Sequence, residues 1–222
     1  MFKAILFDFG GTLDSDGVHW VDQFRAAYEA AGYTYATETF NAVYFDSDRR
    51  IRARYDMRGK SLLDLLNVQV DLIHEGLGLE RNDGGKAKVV RAFEARATRI
   101  LTRNRDILAG LAKRYRLGVV SNFCGNLDVI CREYSLAGHL SVIVDSFIAG
   151  VEKPDAAIFC IALERLGVQA GEAVFVGDNL ERDIKPAQSL GMQAVWLRGS
   201  HNLPPPEVDR TIESLTELEE VL

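Results

Sequence analysis

Residues 2–14 have the sequence FKAILFDFGGTLD, in which a short apolar run leads to an aspartate, two glycines and a threonine. A run of this length that is rich in Phe, Ile and Leu is typical of a strand buried on both faces. The run at 2–9 therefore predicts the first strand of the fold. Gly10 and Gly11 indicate a turn where this strand ends, directly after Asp8.

Further runs of the same texture predict strands at 116–121, 142–149, 173–177 and 193–197. The segments between them have apolar residues at helical spacing. One such stretch extends from Ile158 to Leu166, and Gly167 closes it where a left-handed C-cap is expected. Alternating strands and helices need right-handed crossovers and form a parallel sheet with helices on both faces. The sequence therefore predicts an α/β fold with a doubly wound parallel sheet.

Residues 15–95 differ from the rest, because apolar residues there follow helical spacing and no comparable buried strand occurs. A polar loop is predicted at 80–86, before the last helix of this segment. The pattern predicts helices around Phe24–Ala31, Phe40–Tyr44, Leu62–Ile73 and Val89–Ile100. We therefore predict a helical module of residues 15–95, inserted into a core domain of residues 1–14 and 96–222.

The chain has 222 residues, of which 47% are hydrophobic and 26% charged, as in an ordinary globular protein. Its 26 Lys and Arg against 32 Asp and Glu give a net charge of −6, so we expect no nucleic-acid partner. No apolar run approaches the roughly 18 residues that span a bilayer, and the N-terminal run meets Asp8 too soon for a secretion signal. Three cysteines without CxxC spacing indicate neither a zinc site nor a disulfide framework. These features predict a cytoplasmic protein without a membrane partner.

Polar side chains follow the predicted strands at the ends where an open parallel sheet binds its ligands. Each of these side chains stands at or just beyond the end of a different strand. They are Asp8, Ser121 with Asn122, Lys153, and Asp178 with Asp183. We expect them to share one crevice.

Carboxylates and a backbone carbonyl are hard oxygen ligands that suit Mg²⁺, which binds phosphate oxygens alongside protein ligands. The Lys153 ammonium and the Ser121 hydroxyl would hold the remaining phosphate oxygens. A carboxylate can then attack phosphorus and form an acyl phosphate, while the cation neutralises the repulsion between the two anions. The set predicts Mg²⁺-dependent hydrolysis of a small phosphorylated molecule.

The chain resembles the haloacid dehalogenase superfamily, whose four motifs are matched in order by Asp8-Phe9-Gly10-Gly11-Thr12, Ser121, Lys153, and Gly177-Asp178 with Asp183. The resemblance implies that Asp8 is the nucleophile and a metal ligand. The metal site would be completed by the Gly10 carbonyl, Asp178 and, as a support behind the direct ligands, Asp183. The transferring group would be bound and oriented by Thr12, Ser121, Asn122, Lys153 and Gly11. Residues 15–95 would be the mobile helical cap that this superfamily places after its first motif.

One position departs from the motif, because phosphatases of this superfamily have a second aspartate where this chain has Gly10. That aspartate is a general acid and base, a role that typically contributes about 10² to 10⁴ in rate. Asp14, Asp16 and His19 lie on the segment that leaves the first strand, and each is a candidate replacement. Alternatively, the substrate has a leaving group that needs no acid.

Other members of the superfamily lack the second aspartate because their chemistry differs. Phosphonate hydrolases use a cap lysine as a Schiff base, and Lys60 is the candidate for such an amine at the substrate. Cations nearby could lower the pKa of Lys60 or bind an anionic part of the substrate outside the reacting phosphate. These cations are Arg49, Arg50, Arg52, Arg54 and Arg58.

Two further alternatives remain open from the sequence. Dehalogenases of the superfamily displace halide from carbon without a metal, and they also lack the second aspartate. A binding or regulatory protein on the same fold would bind Mg²⁺ and phosphate without turnover. The sequence also leaves open whether the protein is a monomer or a homodimer.

Overall fold

The computed structural model describes residues 2–80, 84–199 and 208–222. Its strands form one six-stranded sheet in the order β3-β2-β1-β4-β5-β6, and every neighbouring pair is parallel. The strands are β1 (Ala4–Phe7), β2 (Arg116–Ser121), β3 (Val142–Asp145), β4 (Ala173–Gly177), β5 (Gln193–Leu197) and β6 (Arg210–Ile212). The predicted α/β fold with a doubly wound parallel sheet is confirmed.

Helices connect the strands and also build the segment between β1 and β2. Gly167 has a φ of 65° at the end of one of them, the left-handed C-cap that its position predicted. The helices are α1 (Trp20–Ala30), α2 (Thr37–Arg54), α3 (Leu62–Gly76), α4 (Gly85–Leu111), α5 (Leu127–Glu133), α6 (Ser146–Ala149), α7 (Ala156–Leu166), α8 (Lys185–Ser189) and α9 (Leu218–Val221). None of the helices within the described residues has the length and apolar character needed to cross a membrane.

The predicted strands differ from the observed strands at two places. The strand predicted at 142–149 stops at Asp145, because the Asp145 side chain accepts the N–H of Phe147 and caps the short helix α6. The apolar residues that follow therefore belong to a helical turn that ends at Gly150. Strand β6 was not predicted from the sequence. It has only three residues, Arg210–Ile212, lies at the edge of the sheet and contains a single apolar side chain, so it does not form an apolar run.

The helices predicted in residues 15–95 are present as α1 to α4. Helix α4 packs against α1 and α3, and α2 packs against α3. Helix α4 is continuous from Gly85 to Leu111, so the predicted boundary at residue 95 falls inside it. Of the loop predicted at 80–86, residues 81–83 lie outside the described residues, and 85 and 86 already belong to α4. The division into a core and an inserted domain stays a prediction.

Aromatic side chains join the inserted helices to the sheet. The Trp20 ring centroid lies 5.1 Å from that of Phe93 and 5.8 Å from that of Phe123, and Phe123 lies 5.5 Å from Phe9. All four belong to one buried apolar cluster that extends from the insert to β1 and β2. The cluster fixes α1 and α4 beside the carboxyl end of β1, where the chemistry predicted from the sequence lies.

Candidate active site

The carboxyl ends of β1 and β2 open into a pocket between the sheet and the inserted helices. Asp8 follows β1 directly, and Ser121 is the last residue of β2. Most of the residues predicted at the strand ends line this pocket, namely Asp8, Gly10, Ser121, Asn122, Lys153 and Asp183. The structure therefore brings together side chains that are up to 175 positions apart in the chain, from Asp8 to Asp183.

Lys153 lines the site, is buried and contacts two carboxylates. Its Nζ is 2.7 Å from Asp8 Oδ1 and 2.6 Å from Asp183 Oδ1, and all three side chains are buried. Burial by itself would lower the pKa of Lys153, but the charges of Asp183 and Asp8 outweigh burial and raise it. Lys153 is therefore a permanent cation beside Asp8.

Asn122 holds the backbone of Lys153 through a reciprocal pair of hydrogen bonds. The Asn122 amide donates to the Lys153 carbonyl at 2.8 Å and accepts the Lys153 N–H at 2.7 Å. Both polar groups of the Asn122 side chain are thus occupied in positioning the lysine. The predicted role of Asn122 in substrate binding stays a prediction, and the structure adds this positioning contact.

Three carboxylates converge next to the lysine. One oxygen each from Asp8, Asp178 and Asp183 lies within 4.8 Å of the others. Thr12 Oγ1 donates to Asp178 Oδ1 at 3.3 Å, and the Asn179 N–H donates to Asp183 Oδ2 at 3.0 Å. Burial raises the pKa of Asp178 well above its ordinary value, and the Asp8 and Asp183 charges raise it further. The cluster is therefore short of positive charge, although Lys153 is present.

Two glycines make room for this cluster. A Cβ placed on Gly11 would lie 2.2 Å from Asp178 Oδ2, and a Cβ on Gly177 would lie 2.5 Å from Asp183 Oδ2. Gly11 also has a φ of 100°, a conformation that disfavours other residues. Its N–H donates to Asp14 Oδ1 at 2.9 Å. The structure thus gives Gly11 a steric role, and its predicted contact with substrate stays a prediction.

The donor set fits a hard divalent cation. Carboxylate oxygens are hard ligands that suit Mg²⁺, and binding the ion would offset the excess of negative charge of Asp8, Asp178 and Asp183. Asp8, Asp178 and the Gly10 carbonyl are the residues that would hold the ion, with Asp183 beside them. The chemistry of the site thus agrees with the Mg²⁺ expected from the sequence.

Trp20 stands next to the position of the absent second aspartate. A Cβ on Gly10 would lie 3.3 Å from Trp20 Nε1. The Trp20 N–H donates to Asp14 Oδ2, and Ser15 Oγ donates to Asp14 Oδ1 at 2.8 Å. Burial raises the pKa of Asp14 to about 6. Trp20 lines the pocket and Asp14 does not, so Asp14 is not a direct replacement for the missing acid.

Of the other two candidates for the missing acid, only His19 lines the pocket. Asp16 accepts the Leu215 N–H at 2.8 Å and pairs with Arg103 at 2.9 Å, which directs it toward the C-terminal segment. Burial lowers the pKa of His19, and the charge of Arg182 lowers it further. A neutral His19 is a poor general acid but can accept a proton.

Lys60 is not part of this site. Its side chain is exposed and does not line the pocket, because Lys60 directly precedes Ser61, the residue that caps α3 through a capping box. The Lys60 carbonyl accepts a hydrogen bond from Asn126 Nδ2 at 3.2 Å. The structure does not bring the Lys60 side chain into this pocket, and its predicted contact with substrate stays a prediction.

Several pocket residues were not predicted from the sequence as a group. Helices α2 and α3 contribute Tyr44, Phe45, Asp48, Arg52, Leu65 and Gln69, and the turn after β4 contributes Asn179 and Arg182. The spacing of Tyr44, Asp48 and Arg52 by four residues places them on one helix face, which is a signal that the sequence did contain.

Arg52 joins the insert to the loop that contains Lys153. It pairs with Asp48 on its own helix, and its Nη1 lies 3.2 Å from Glu152 Oε2. Of the basic residues considered at 49–58, Arg52 is the one that lines the pocket within the described residues. Cys124 also lines the pocket, and burial raises its pKa to about 12, so it remains a thiol.

The family model of the haloacid dehalogenase-like hydrolases matches residues 2–191. The chain therefore belongs to the haloacid dehalogenase-like hydrolase family, as its motifs implied.

Curated relatives include phosphatases. Haloacid dehalogenase-like hydrolase domain-containing protein 3 of Danio rerio is 44% identical over 106 residues, 46% of this chain and 43% of that protein. The 5-amino-6-(5-phospho-D-ribitylamino)uracil phosphatase YigB of Escherichia coli is 29% identical over 164 residues, 68% of this chain and 67% of that protein. The chain thus spans less than half of the first relative and about two thirds of the second.

Solved structures show the same fold. A dehalogenase crystal structure with an intermediate complex has a TM-score of 0.70 at 20% identity and covers 100% of this chain and 97% of that chain. The HAD-hydrolase YfnB from Bacillus subtilis bound to magnesium has a TM-score of 0.61 at 20% identity, with coverages of 100% and 98%. At this identity the likeness concerns the fold alone.

Proposed function

We propose that this protein is a Mg²⁺-dependent phosphohydrolase that acts on a small phosphorylated metabolite through an aspartyl phosphate on Asp8. The observation that supports this most directly is the buried contact of Asp8 with Lys153 beside Asp178 and Asp183. A carboxylate with a neighbouring ammonium and a cation site can attack an anionic phosphate, because the positive charges reduce the repulsion between them. Phosphatases among the relatives agree with this reaction class.

In the proposed reaction an Asp8 carboxylate oxygen attacks phosphorus, and the bond from phosphorus to the ester oxygen breaks. The Lys153 ammonium remains next to Asp8 and contacts the phosphoryl oxygens, together with the Ser121 hydroxyl. Water then attacks the phosphorus of the aspartyl phosphate, which returns Asp8 and releases inorganic phosphate. When bound, Mg²⁺ would supply charge neutralisation and orientation of the phosphate.

The proton balance of this reaction has an unusual feature. No carboxylate stands at Gly10 to protonate the leaving oxygen, and His19, the one candidate in the pocket, is held neutral by burial and by Arg182. A neutral imidazole fits the second step, in which it accepts a proton from the attacking water. We infer that the enzyme prefers substrates whose leaving group departs with little help from an acid.

The pocket suits a compact substrate. Its volume is about 120 Å³, whereas pockets for drug-sized ligands have roughly 300–1,000 Å³. Phe45, Tyr44 and Leu65 from the inserted helices provide its apolar wall. We therefore propose a phosphorylated small molecule as the substrate. The cytoplasm remains our prediction for the compartment in which the protein acts.

The proposal is tested by measuring phosphate release from p-nitrophenyl phosphate and from a metabolite panel, with Mg²⁺ and with a chelator. We expect turnover that requires Mg²⁺ and that falls by at least about 10³-fold in Asp8→Asn, because the nucleophile is removed. Asp106→Asn changes an exposed carboxylate on α4 and should retain the activity. Unchanged activity in Asp8→Asn would overturn the mechanism.

The absence of an acid at Gly10 also favours a second candidate, hydrolysis of a carbon–halogen bond by Asp8. Halide release from 2-chloropropionate in the presence of a chelator, without phosphatase activity, would support this alternative over ours. Carbon–phosphorus hydrolysis through an amine is disfavoured, because Lys60 is exposed outside the pocket. Borohydride trapping of a substrate on Lys60 would reverse that assignment. Mg²⁺ and phosphate binding without any turnover would indicate a binding protein.

A further inference from the structure

Arg182 is a pocket residue that the four motifs do not include. It lies in the turn between β4 and α8, one position before Asp183, and its side chain is half-buried. Its backbone N–H donates to Asn179 Oδ1 at 2.9 Å, which fixes the turn. The guanidinium thus points from a well-defined turn into the pocket that also contains Asp8 and Lys153.

The Arg182 side chain contacts the ring of His19. Its Nη2 lies 3.1 Å from His19 Nε2, and within the part of the chain that the structure describes it forms no salt bridge. Arg52, the other arginine of the pocket, pairs with both Asp48 and Glu152. Arg182 is therefore the pocket arginine whose charge is available to a ligand.

The contact with His19 does not use up the donors of Arg182. His19 Nδ1 is approached by the Val21 N–H at 3.2 Å, and Nε2 is approached by Arg182. A neutral imidazole accepts at one nitrogen only, so both contacts cannot be ordinary hydrogen bonds at once. A guanidinium has five N–H donors in a planar fork, and this fork matches the geometry of a carboxylate or a phosphate.

We propose that Arg182 binds a second oxyanion of the substrate, a carboxylate or a further phosphate, outside the phosphate that reacts at Asp8. This inference rests on the proposed function and narrows its substrate class. Lys153 already contacts Asp8 and is placed to serve the reacting group, so the Arg182 guanidinium, which lines the same pocket outside any salt bridge of the described residues, is the donor left for a second anion. The small volume places the two anionic groups only a few bonds apart.

The test uses phosphonates, which mimic a phosphate ester without being hydrolysed as one. Binding of 3-phosphonopropanoate, propane-1,3-bisphosphonate and propylphosphonate is measured by titration calorimetry in MgCl₂. For the wild-type protein we expect the carboxylate or the bisphosphonate to bind about 10- to 100-fold more tightly than propylphosphonate, because a charge-assisted hydrogen bond is gained. Which of the two binds more tightly identifies the second anion.

Variants assign this preference to Arg182. The preference is the dissociation constant of propylphosphonate divided by that of the ligand with the preferred second anion. In Arg182→Gln this ratio should fall to about one. In Arg182→Lys part of the ratio should remain, because the positive charge is kept but the planar fork of N–H donors is lost. Lys185→Gln removes an exposed cation three positions further along and should keep the full ratio. Thermal unfolding of each variant verifies folding, and Arg182→Lys serves as the test if Arg182→Gln does not fold.

Two outcomes would overturn the inference. Equal binding of the three phosphonates by the wild-type protein would show that no second anion is recognised. A preference that persists in Arg182→Gln would show that another group provides it. Calorimetry does not depend on turnover, so an inactive wild-type protein would contradict the proposed hydrolase while the role of Arg182 in binding is still measured.

Discussion

The ammonium of Lys153 lies 2.7 Å from the carboxylate of Asp8, and the same ammonium lies 2.6 Å from the carboxylate of Asp183. Lys153 is only 3% exposed, so water contributes little to the stability of these charges. The nucleophile proposed here is therefore paired, inside the protein, with a cation that comes from a distant loop. This relationship makes the site sensitive to single substitutions in predictable ways.

Lys153→Met should lower the free energy of unfolding by about 3–5 kcal/mol, because it leaves two buried carboxylates without their cation. The loss should be smaller in Mg²⁺ than in a chelator, since a bound divalent ion would replace part of the lost charge. Urea unfolding in both conditions measures the effect. Lys185→Met, at an exposed pair with Glu181, is the control and should change stability little. Equal losses in both variants would contradict the role of Lys153.

Gly11→Ala should weaken Mg²⁺ binding by about 10- to 100-fold, because the new Cβ would meet the Asp178 carboxylate. Gly32→Ala is a matched control, since Gly32 has a φ of 97° and its Cβ would meet nothing within 4 Å. Both variants should lose about 1–2 kcal/mol of stability from the positive φ alone. Calorimetric titration of each variant with Mg²⁺ separates the two effects, and equal Mg²⁺ affinities would refute the steric argument.

Gly10→Asp should increase turnover of alkyl phosphates by about 10² to 10⁴-fold, because it restores an acid and base beside Asp8. Gly10 has a φ of −77°, so its backbone tolerates a side chain, and the 3.3 Å approach to Trp20 Nε1 requires only a small shift. Gly10→Asn is the control for shape without acidity. Steady-state rates on an alkyl phosphate and on p-nitrophenyl phosphate test this, and the gain should be larger for the alkyl ester. Equal rates in both variants would count against the missing-acid explanation.

Asp14 should make the stability depend on pH. Its pKa is raised from 3.8 to about 6 by burial, so between these values the folded protein binds a proton that the unfolded chain releases. The free energy of unfolding therefore decreases as the pH rises from about 4 to about 6, by about 3 kcal/mol from this group alone. Asp14→Asn lacks the titrating group and should show a flatter dependence. Urea unfolding across this pH range compares the two proteins, and parallel curves would contradict the assignment.

Much of the architecture could be predicted from local sequence. Apolar runs predict buried strands such as 173–177, and apolar residues at helical spacing predict helices such as α7. The alternation of strands and helices then predicts a parallel sheet. The sequence pattern does not predict a strand that is short and contains both polar and apolar residues, such as β6. It also misses the end of a strand where a side chain caps a helix inside an apolar run, as Asp145 does. These exceptions depend on a few local hydrogen bonds, which composition does not reveal.

For the site, the sequence by itself determined which polar residues follow the predicted strands. The carboxyl ends of parallel strands meet at one edge of the sheet, so Asp8, Ser121 and Asp183 could be predicted to lie together, as they do. Only the tertiary structure decided which side chains of the insert and of the turns enter the pocket. Arg182 does enter it, whereas Lys60 stays at the surface and Asp14 lies behind Trp20. The physical reason is that a helix or turn can present any of its faces, and packing against distant segments selects one.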